Sequence, residues 1–478
     1  MKIIQKTRPR LRELVHTKRG VFVIAVLVVM VVSLGSFGAA SSGSVALQPA
    51  GDQAHRTTSS SSSTTSSTSS TTTSSSTTTS TSTTTTSSST TSGSGFSAFY
   101  SVPTGAFPLA GAYDAANRVL YIDDQQFPGL TAINATNWAY TFGVCTGAST
   151  YAQDSIYDPA NNQLYVACYG GSNYVAVVNP TSKAVVATVS VPYPLVLAYD
   201  PANSDIYVGS DNPQSGGFSP VSVISGTTNA VVATIAGTFN GPNVPNQIVY
   251  SAANGDIYIT NNNAPNYLTV VNGATNAFVT DIELAAVGGG GAGSEVYDPS
   301  NGDILVHAPI QAGSDSLEAI GTSNTIVAMV TPGCGSGEDN PQLVYDSANG
   351  NVYCARVYSP GNGVSYNQVC EISSSPFAYV GCVDISQSGS VGLYTPSYLL
   401  FNPTNGNLYV SGGGPDNSQS GPAPEIIQVV SPSLVLLQTV NIPGVPFQLT
   451  FNPANHEVYA GVPQVGTPQF NIVVPISS

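Results

Sequence analysis

From about residue 96 onward the chain alternates short apolar stretches with short polar ones, and this pattern recurs eight times. Each copy has an aromatic residue, then Asp, Ser or Asn, then turn-forming residues, and then a second apolar stretch that usually contains Tyr. Period-two alternation bounded by Pro, Asn and Gly predicts β-strands joined by hairpins. We call the first aromatic of each copy the anchor. The eight anchors are Tyr113, Tyr157, Tyr199, Tyr250, Tyr297, Tyr345, Phe401 and Phe451.

The second copy shows four predicted strands most clearly. An inner strand covers residues 154–157, a second covers 163–168, a third covers 174–178 and an outer strand covers 184–191. Val, Ile and Tyr fill these segments, while Pro, Asn and Gly separate them. Because no helical period appears after residue 95, the sequence predicts an all-β fold.

The anchors recur every roughly 40 to 55 residues, which is the length of one four-stranded propeller blade. The sequence therefore predicts a β-propeller over residues 96–478. The last copy has only three strands, and residues 98–102, ahead of the first anchor, resemble an outer strand. Pairing the two would close an eight-bladed ring and cover an exposed sheet edge. Seven blades is the alternative, if the first copy packs differently; its turn after the anchor has Ala115 where the second copy has Pro159.

The N-terminus predicts a membrane segment. Residues 1–20 are basic and are expected in the cytoplasm, and residues 21–40 are apolar or small and long enough for a transmembrane helix or signal anchor. The membrane is therefore an expected partner through residues 21–40, with the propeller outside. The small residues Phe37-Gly38-Ala39-Ala40 leave open a cleaved signal and a secreted product.

Residues 41–95 are predicted to be a disordered stalk. The tract from Thr57 to Ser92 consists only of Ser and Thr. Such a tract buries no apolar surface, and dense hydroxyl groups on an exported chain indicate O-glycosylation. The alternative is a plain linker.

Charge limits the classes of partner. All but two of the 26 acidic residues follow residue 56, where the only Lys and Arg are Arg118, Lys183 and Arg356. Nucleic acid and anionic lipid both need clustered basic residues, so neither is an expected partner. Only 8% of the chain is charged, and hydroxyl and amide groups keep their state in acid. We therefore expect an acidic habitat and a fold that persists to low pH.

Six cysteines in an exported chain predict disulfides. Cys145 and Cys168 flank the second anchor as Cys334 and Cys354 flank the sixth, so these two pairs should form equivalent bridges. Cys370 and Cys382 then pair across a predicted hairpin. Metal binding is not expected because no C-x-x-C spacing occurs and the four histidines are scattered. No cofactor is expected either.

The second-strand motifs resemble those of the YVTN β-propeller repeat family, which includes cell-surface proteins of archaea and bacteria. Tyr258-Ile259-Thr260-Asn261 comes nearest to the full four-letter motif. Leu164-Tyr165-Val166, Ile206-Tyr207-Val208 and Leu408-Tyr409-Val410 keep the aromatic and aliphatic pair. The resemblance covers about residues 98–478 and implies the propeller fold; it implies little about activity, because propellers host many functions.

The best predicted place for recognition is the mouth of the central channel, which the starts of the inner strands should line. Polar residues stand there, three residues before the anchors or beside that position. These candidate ligand-binding residues are Asp154, Gln247, Glu295, Gln342 and Gln448. A ring of this kind could bind a glycan, a peptide or a cation, or it could hold ordered water.

Together these features predict a cell-surface propeller that acts as a binding or envelope component without catalysis, with an unknown surface glycan or protein as partner. One alternative is an extracellular lyase or glycan hydrolase that uses Asp154 and Glu295. The other is a cleaved, secreted binding protein. His307 and His456 are expected on the surface of second strands of different blades, which disfavours a Ser-His-Asp hydrolase.

Overall fold

The computed structural model describes most of the chain from residue 97 onward, and every regular element in that part is a strand. The predicted basic segment (1–20), membrane helix (21–40) and stalk (41–95) lie outside the described residues. Among the residues described, no helix is long and apolar enough to span a bilayer. The described residues are 97–98, 102–104, 108–125, 129–136, 139–211, 219–235, 244–261, 267–285, 293–310, 314–331, 334, 342–358, 366–386, 396, 398–411, 425–446, 448–465 and 470–477.

Seven antiparallel sheets of four strands each follow one another along the chain, one for each of the first seven copies. We number the sheets in chain order. The first sheet contains β3 (Pro108–Asp114), β4 (Val119–Asp124), β5 (Gly129–Asn134) and β6 (Ala139–Gly143). The second contains β7 (Thr150–Asp158), β8 (Gln163–Gly170), β9 (Tyr174–Asn179) and β10 (Ala184–Val189). The third contains β11 (Pro194–Asp200), β12 (Asp205–Ser210), β13 (Val221–Ser225) and β14 (Ala230–Ile235).

The next four sheets repeat this order. The fourth contains β15 (Pro245–Tyr250), β16 (Asp256–Asn261), β17 (Tyr267–Asn272) and β18 (Ala277–Glu283). The fifth contains β19 (Glu295–Tyr297), β20 (Ile304–Ile310), β21 (Ser314–Gly321) and β22 (Thr325–Val330). The sixth contains β23 (Leu343–Tyr345), β24 (Val352–Tyr358), β25 (Tyr366–Ser374) and β26 (Phe377–Asp384). The seventh contains β27 (Tyr398–Asn402), β28 (Asn407–Ser411), β29 (Ile426–Val430) and β30 (Leu436–Asn441).

A further sheet, the composite sheet, is built from both ends of the described chain. It contains β31 (Leu449–Asn452), β32 (Glu457–Val465) and β33 (Phe470–Ser477), and β1 (Ser97–Ala98) and β2 (Val102–Pro103) pair antiparallel with β33. Ala98 lies opposite Ile476, and Val102 lies opposite Val473. The predicted pairing of the N-terminal segment with the last copy is therefore confirmed.

Apolar side chains fill the space between successive sheets. Tyr121 and Leu130 of the first sheet pack with Leu164 and Val166 of the second, and equivalent clusters follow around the chain. The seventh sheet packs on the composite sheet. The composite sheet in turn packs on the first sheet, where Tyr459 meets Leu120 and its neighbours. The fold is thus a β-propeller with seven complete four-stranded blades; the count of eight blades stays a prediction.

The turn after each anchor is built in the same way. A buried Asp, Ser or Asn follows the anchor, and in the second copy Asp158 Oδ1 accepts a hydrogen bond of 2.8 Å from the N–H of Ala160. The fifth residue after each anchor has φ between 55 and 86°, in the left-handed region that Gly and Asn enter most readily. These eight residues are Arg118, Asn162, Ser204, Gly255, Gly302, Gly350, Gly406 and His456.

The second-strand tyrosines, eight residues after the anchors, tie neighbouring blades together. The Tyr165 hydroxyl on β8 donates to Asn229 Oδ1, 2.6 Å away in the β13–β14 turn of the third sheet. Tyr207 and Tyr258 donate in the same way to Asn276 and Asn324 of the following sheets. We call this contact the tyrosine latch. In the first and sixth sheets the acceptor is a carbonyl, Pro180 O for Tyr121 and Pro432 O for Tyr353, both at 2.9 Å.

The three predicted disulfides are confirmed. Cys145–Cys168 and Cys334–Cys354 have Cα–Cα distances of 5.3 and 5.6 Å, and both join the end of one sheet to the second strand of the next. Cys370 pairs with Cys382 across the β25–β26 hairpin. No cysteine among the described residues is free.

Removing one latch hydroxyl should weaken the fold measurably. We expect Tyr165→Phe to lower the free energy of unfolding by about 1–2 kcal/mol, because the half-buried Asn229 Oδ1 loses the donor that the buried tyrosine supplies. The matched control is Tyr140→Phe on β6, where the ring is 48% exposed. Urea unfolding followed by circular dichroism measures both. Equal stabilities for the two variants would contradict the latch.

Deleting residues 97–103 should destabilise the propeller, because β33 would become an exposed edge strand. Four paired positions link β1 and β2 to β33. At about 1 kcal/mol for each lost backbone hydrogen bond, we expect a loss of roughly 2–4 kcal/mol. Truncation of residues 57–92 from the Ser/Thr tract serves as the length control. An unchanged urea midpoint after deletion of 97–103 would show that these strands do not contribute to closure.

Candidate ligand site at the inner strands

The five predicted ligand-binding residues lie on inner strands or directly before them. Asp154 is on β7, Gln247 on β15 and Glu295 on β19, while Gln342 and Gln448 immediately precede β23 and β31. Gln247 is half-buried and the other four are buried. The carboxyl groups of Asp154 and Glu295 belong to the second and fifth sheets, so the fold does not place them in neighbouring blades.

Several of these side chains bind the backbone of the next inner strand. Asp154 Oδ2 accepts a hydrogen bond of 2.7 Å from the Leu197 N–H on β11. Gln247 Oε1 accepts one of 3.0 Å from the Glu295 N–H, and Gln247 Nε2 donates to Glu295 O at 2.9 Å. These bonds join the second sheet to the third and the fourth to the fifth.

Two more members of the series repeat the contact. Ser294 Oγ accepts from the Leu343 N–H, and Gln342 Oε1 accepts from the Leu399 N–H, both at 3.1 Å. In each case the side chain three residues before an anchor receives the amide two residues before the next anchor. We call this contact the inner-strand clamp. The clamp therefore occupies polar side-chain groups that the sequence predicted would bind a ligand.

A buried acidic group beside Asp154 was missed by the sequence analysis. Asp123 and Asp124 end β4 and are fully buried. Thr131 Oγ1 donates to Asp124 Oδ2 at 2.8 Å, whereas neither oxygen of Asp123 has a hydrogen-bond partner. Burial raises the pKa of Asp123 well above its usual value, and the nearby Asp154 raises it further. The sequence signal for this group was the pair of adjacent acidic residues at the end of an apolar second strand.

Glu295 is the second unusual carboxyl group. Its side chain is 1% exposed, and neither carboxyl oxygen has a hydrogen-bond partner. Burial raises the pKa of Glu295 well above its usual value, and the nearby backbone of Thr260 offsets only part of this. Burial likewise raises the pKa of Asp154. All three groups therefore favour the protonated form in the folded state.

The histidines differ from the expectation. His307 is fully buried on β20 rather than exposed, because the middle strands of a blade are covered on both faces. His456 is exposed but lies in the turn before β32, where its φ is 66°. In the described part of the chain, no group of three or more His, Cys, Asp or Glu residues could hold a metal ion.

No protein-family model matches this sequence. No curated protein matches it either. Among solved structures, the Dos1 propeller is 12% identical, with a TM-score of 0.59 over 79% of this chain and 95% of that chain. The C-terminal WD40 domain of Sif2 is 9% identical, with a TM-score of 0.56 over 80% and 99% of the two chains. Hydrazine synthase of Kuenenia stuttgartiensis is 14% identical, with a TM-score of 0.50 over 68% and 95%. At these identities the likeness shows the propeller fold alone.

The buried carboxyl groups should make the fold more stable in acid. The pKa values of these groups are higher in the folded state than the unfolded values of about 4. The stability that they contribute is therefore complete below about pH 4, and it is lost as the pH rises through the folded pKa. Replacing Glu295 with Gln removes the ionisable group and keeps its shape. We expect Glu295→Gln to leave stability unchanged at about pH 3. At about pH 7 it should raise stability by about 1.4 kcal/mol for each unit of pKa shift.

Urea unfolding at the two pH values measures this difference. Glu425→Gln is the matched control, because Glu425 is exposed. A wild-type stability that rises from acid to neutral pH, or a Glu295→Gln variant that is less stable at neutral pH, would contradict the argument.

Proposed function

We propose that this chain is a binding protein displayed on the cell surface, in which a YVTN-type propeller is held outside the membrane by residues 21–40 and a glycosylated Ser/Thr stalk. The three disulfides carry this proposal. Disulfides persist in oxidising compartments and are rare in the cytosol, so bridges that fit the blade geometry favour an exported domain. The basic residues that precede the apolar N-terminal segment support the same orientation.

Binding is favoured over catalysis by the distribution of polar and apolar groups. The inner-strand clamp uses Asp154 and Gln342 to hold adjacent blades together. The outer strands instead expose apolar side chains around the rim, as expected for surfaces that contact a partner. The exposed rim pairs are Val185 and Val186, Val231 and Val232, Phe278 and Val279, Ile326 and Val327, Tyr379 and Val380, and Val435 and Leu437.

The composite sheet is, in this proposal, an eighth blade that closes the ring. Its contacts with the first and seventh sheets support this count. Arg118 Nη2 of the first sheet also donates to Ala454 O of the composite sheet at 2.8 Å.

Protease treatment of intact cells tests surface display. We expect proteinase K to remove a C-terminal epitope tag from whole cells while a cytoplasmic protein stays intact, because the propeller is outside. After carbonate extraction the untreated chain should stay in the membrane fraction. Recovery of the chain in the medium with a new N-terminus after Ala40 would favour the secreted alternative. Protection of the tag in intact cells would reject display altogether.

A further inference from the structure

A cluster of tyrosines lies at one end of the first two strands of the second and third sheets, and it does not take part in the inner-strand clamp. Tyr151 on β7 and Tyr169 on β8 are directly paired across the strands, with ring centroids 5.7 Å apart. Tyr193, just before β11, packs against Tyr169 at 6.1 Å. The Tyr169 hydroxyl donates to Asp211 Oδ2 at 3.3 Å. All four residues are half-buried, so each also faces solvent. We call them the tyrosine cluster.

The four residues occupy equivalent places in two adjacent blades. Tyr151 and Tyr193 each stand six residues before an anchor, and Tyr169 and Asp211 each stand twelve after one. The other six copies differ at both places. At the first place they have Phe107, Val244, Gly291, Asp339, Thr395 and Val445, and at the second Gln125, Asn262, Pro309, Val357, Gly413 and Pro463. The propeller fold therefore does not require tyrosine here.

The backbone of Tyr193 is strained to hold its ring in the cluster. Its φ is 45°, a left-handed value that bulky residues rarely adopt, and it lies between Pro192 and Pro194. A fold that needed only this turn would use Gly or Asn. The Asp211 N–H donates to Tyr193 O at 2.9 Å and fixes the turn beside the carboxyl group. Retained strain of this kind is typical of functional positions.

The support beneath the cluster is rigid. Cys168, one residue before Tyr169, is bonded to Cys145. Beyond Tyr169, Gly170 has φ 119° and approaches Ser149 so closely that a Cβ would lie 2.0 Å from Ser149 O. The backbone on both sides of Tyr169 is therefore constrained, and such preorganisation lowers the entropic cost of binding.

The chemistry of the cluster fits an uncharged sugar. The Tyr169 ring packs against the other two rings at interplanar angles of 43° and 61°. Such rings combine apolar faces that suit the C–H face of a pyranose with hydroxyls that can bond its edge. Asp211 adds a carboxyl acceptor. A cation enclosed between aromatic faces would need the rings farther apart than these contacts allow. The only Lys or Arg in the second and third sheets is Lys183, in the β9–β10 turn at the other end of the strands, so an acidic sugar would find no counter-charge.

We propose that Tyr151, Tyr169, Tyr193 and Asp211 form a binding site for a neutral glycan. This inference names a ligand class for the binding role under Proposed function and rests on that role. The two fail separately, because sugar binding is measured on the purified chain and surface display on intact cells.

Saturation-transfer NMR on the purified full chain tests the site, in a detergent without a sugar headgroup. Cellotriose, maltotriose and mannotriose are the probes, and tetramethylammonium is the cationic comparison. We expect saturable binding of at least one trisaccharide. Tyr193→Asn should weaken that binding by about 2- to 12-fold, the range expected for one aromatic contact. It should not lower the melting temperature, because Asn tolerates the left-handed turn.

Matched variants separate recognition from packing. Tyr140→Asn, on the rim strand β6, should leave the affinity for the trisaccharide unchanged. Asp211→Asn should weaken it, because the carboxylate acceptor is lost. The proposal is overturned if none of the three sugars binds, or if Tyr193→Asn binds as well as wild type. It is also overturned if only tetramethylammonium binds, and that outcome would assign a cation site.

Discussion

The contact between successive sheets is the interaction on which this structure depends. All six residues of β12 are buried, and the middle strands of the other blades are nearly as well covered. A single four-stranded sheet with two apolar faces cannot keep both from water, so each blade is stable only between two neighbours. Each blade therefore needs the next, and the composite sheet supplies the contact between the seventh copy and the first. The terminal strands β1 and β2 take part in this joint through their backbone pairing with β33.

The same packing explains the state of the acidic groups. Interfaces between sheets bury Asp123, Asp154 and Glu295, and only three Lys or Arg follow residue 56 to neutralise so many acids. Ion pairs therefore give way to backbone N–H donors, as at Asp154, or to protonation, as expected for Glu295 with both oxygens unpartnered. Protonation removes the cost of burying a charge, so these groups favour the folded state more in acid than at neutral pH. The expected acidic habitat and the buried carboxyl groups are thus physically consistent.

Much of the architecture could be predicted because its signals are local. Period-two alternation and turn residues located the four strands of the second copy within a few residues, and repeat spacing paired Cys145 with Cys168 correctly. The burial of His307 and the position of Asp123 beside Asp154 could not be predicted, since both depend on which side chains meet across two blades. For the same reason the candidate residues at the channel mouth were predicted as a polar ring, while their contacts with the neighbouring strand were not.

The exception within the repeat shows how the blades share their stabilising contacts. The fifth sheet has Leu305 where the other copies have the latch tyrosine, so it has no hydroxyl to donate to the sixth sheet. At that same junction Cys334, which follows β22, is bonded to Cys354 on β24. The disulfide joins the fifth sheet to the sixth, just as the hydrogen bond from Tyr165 to Asn229 joins the second sheet to the third. The first and second sheets have both devices, Tyr121 to Pro180 and Cys145 to Cys168. Because the first copy also packs against the composite sheet, this reinforcement lies next to the joint that closes the chain, where fraying of the ends would otherwise begin.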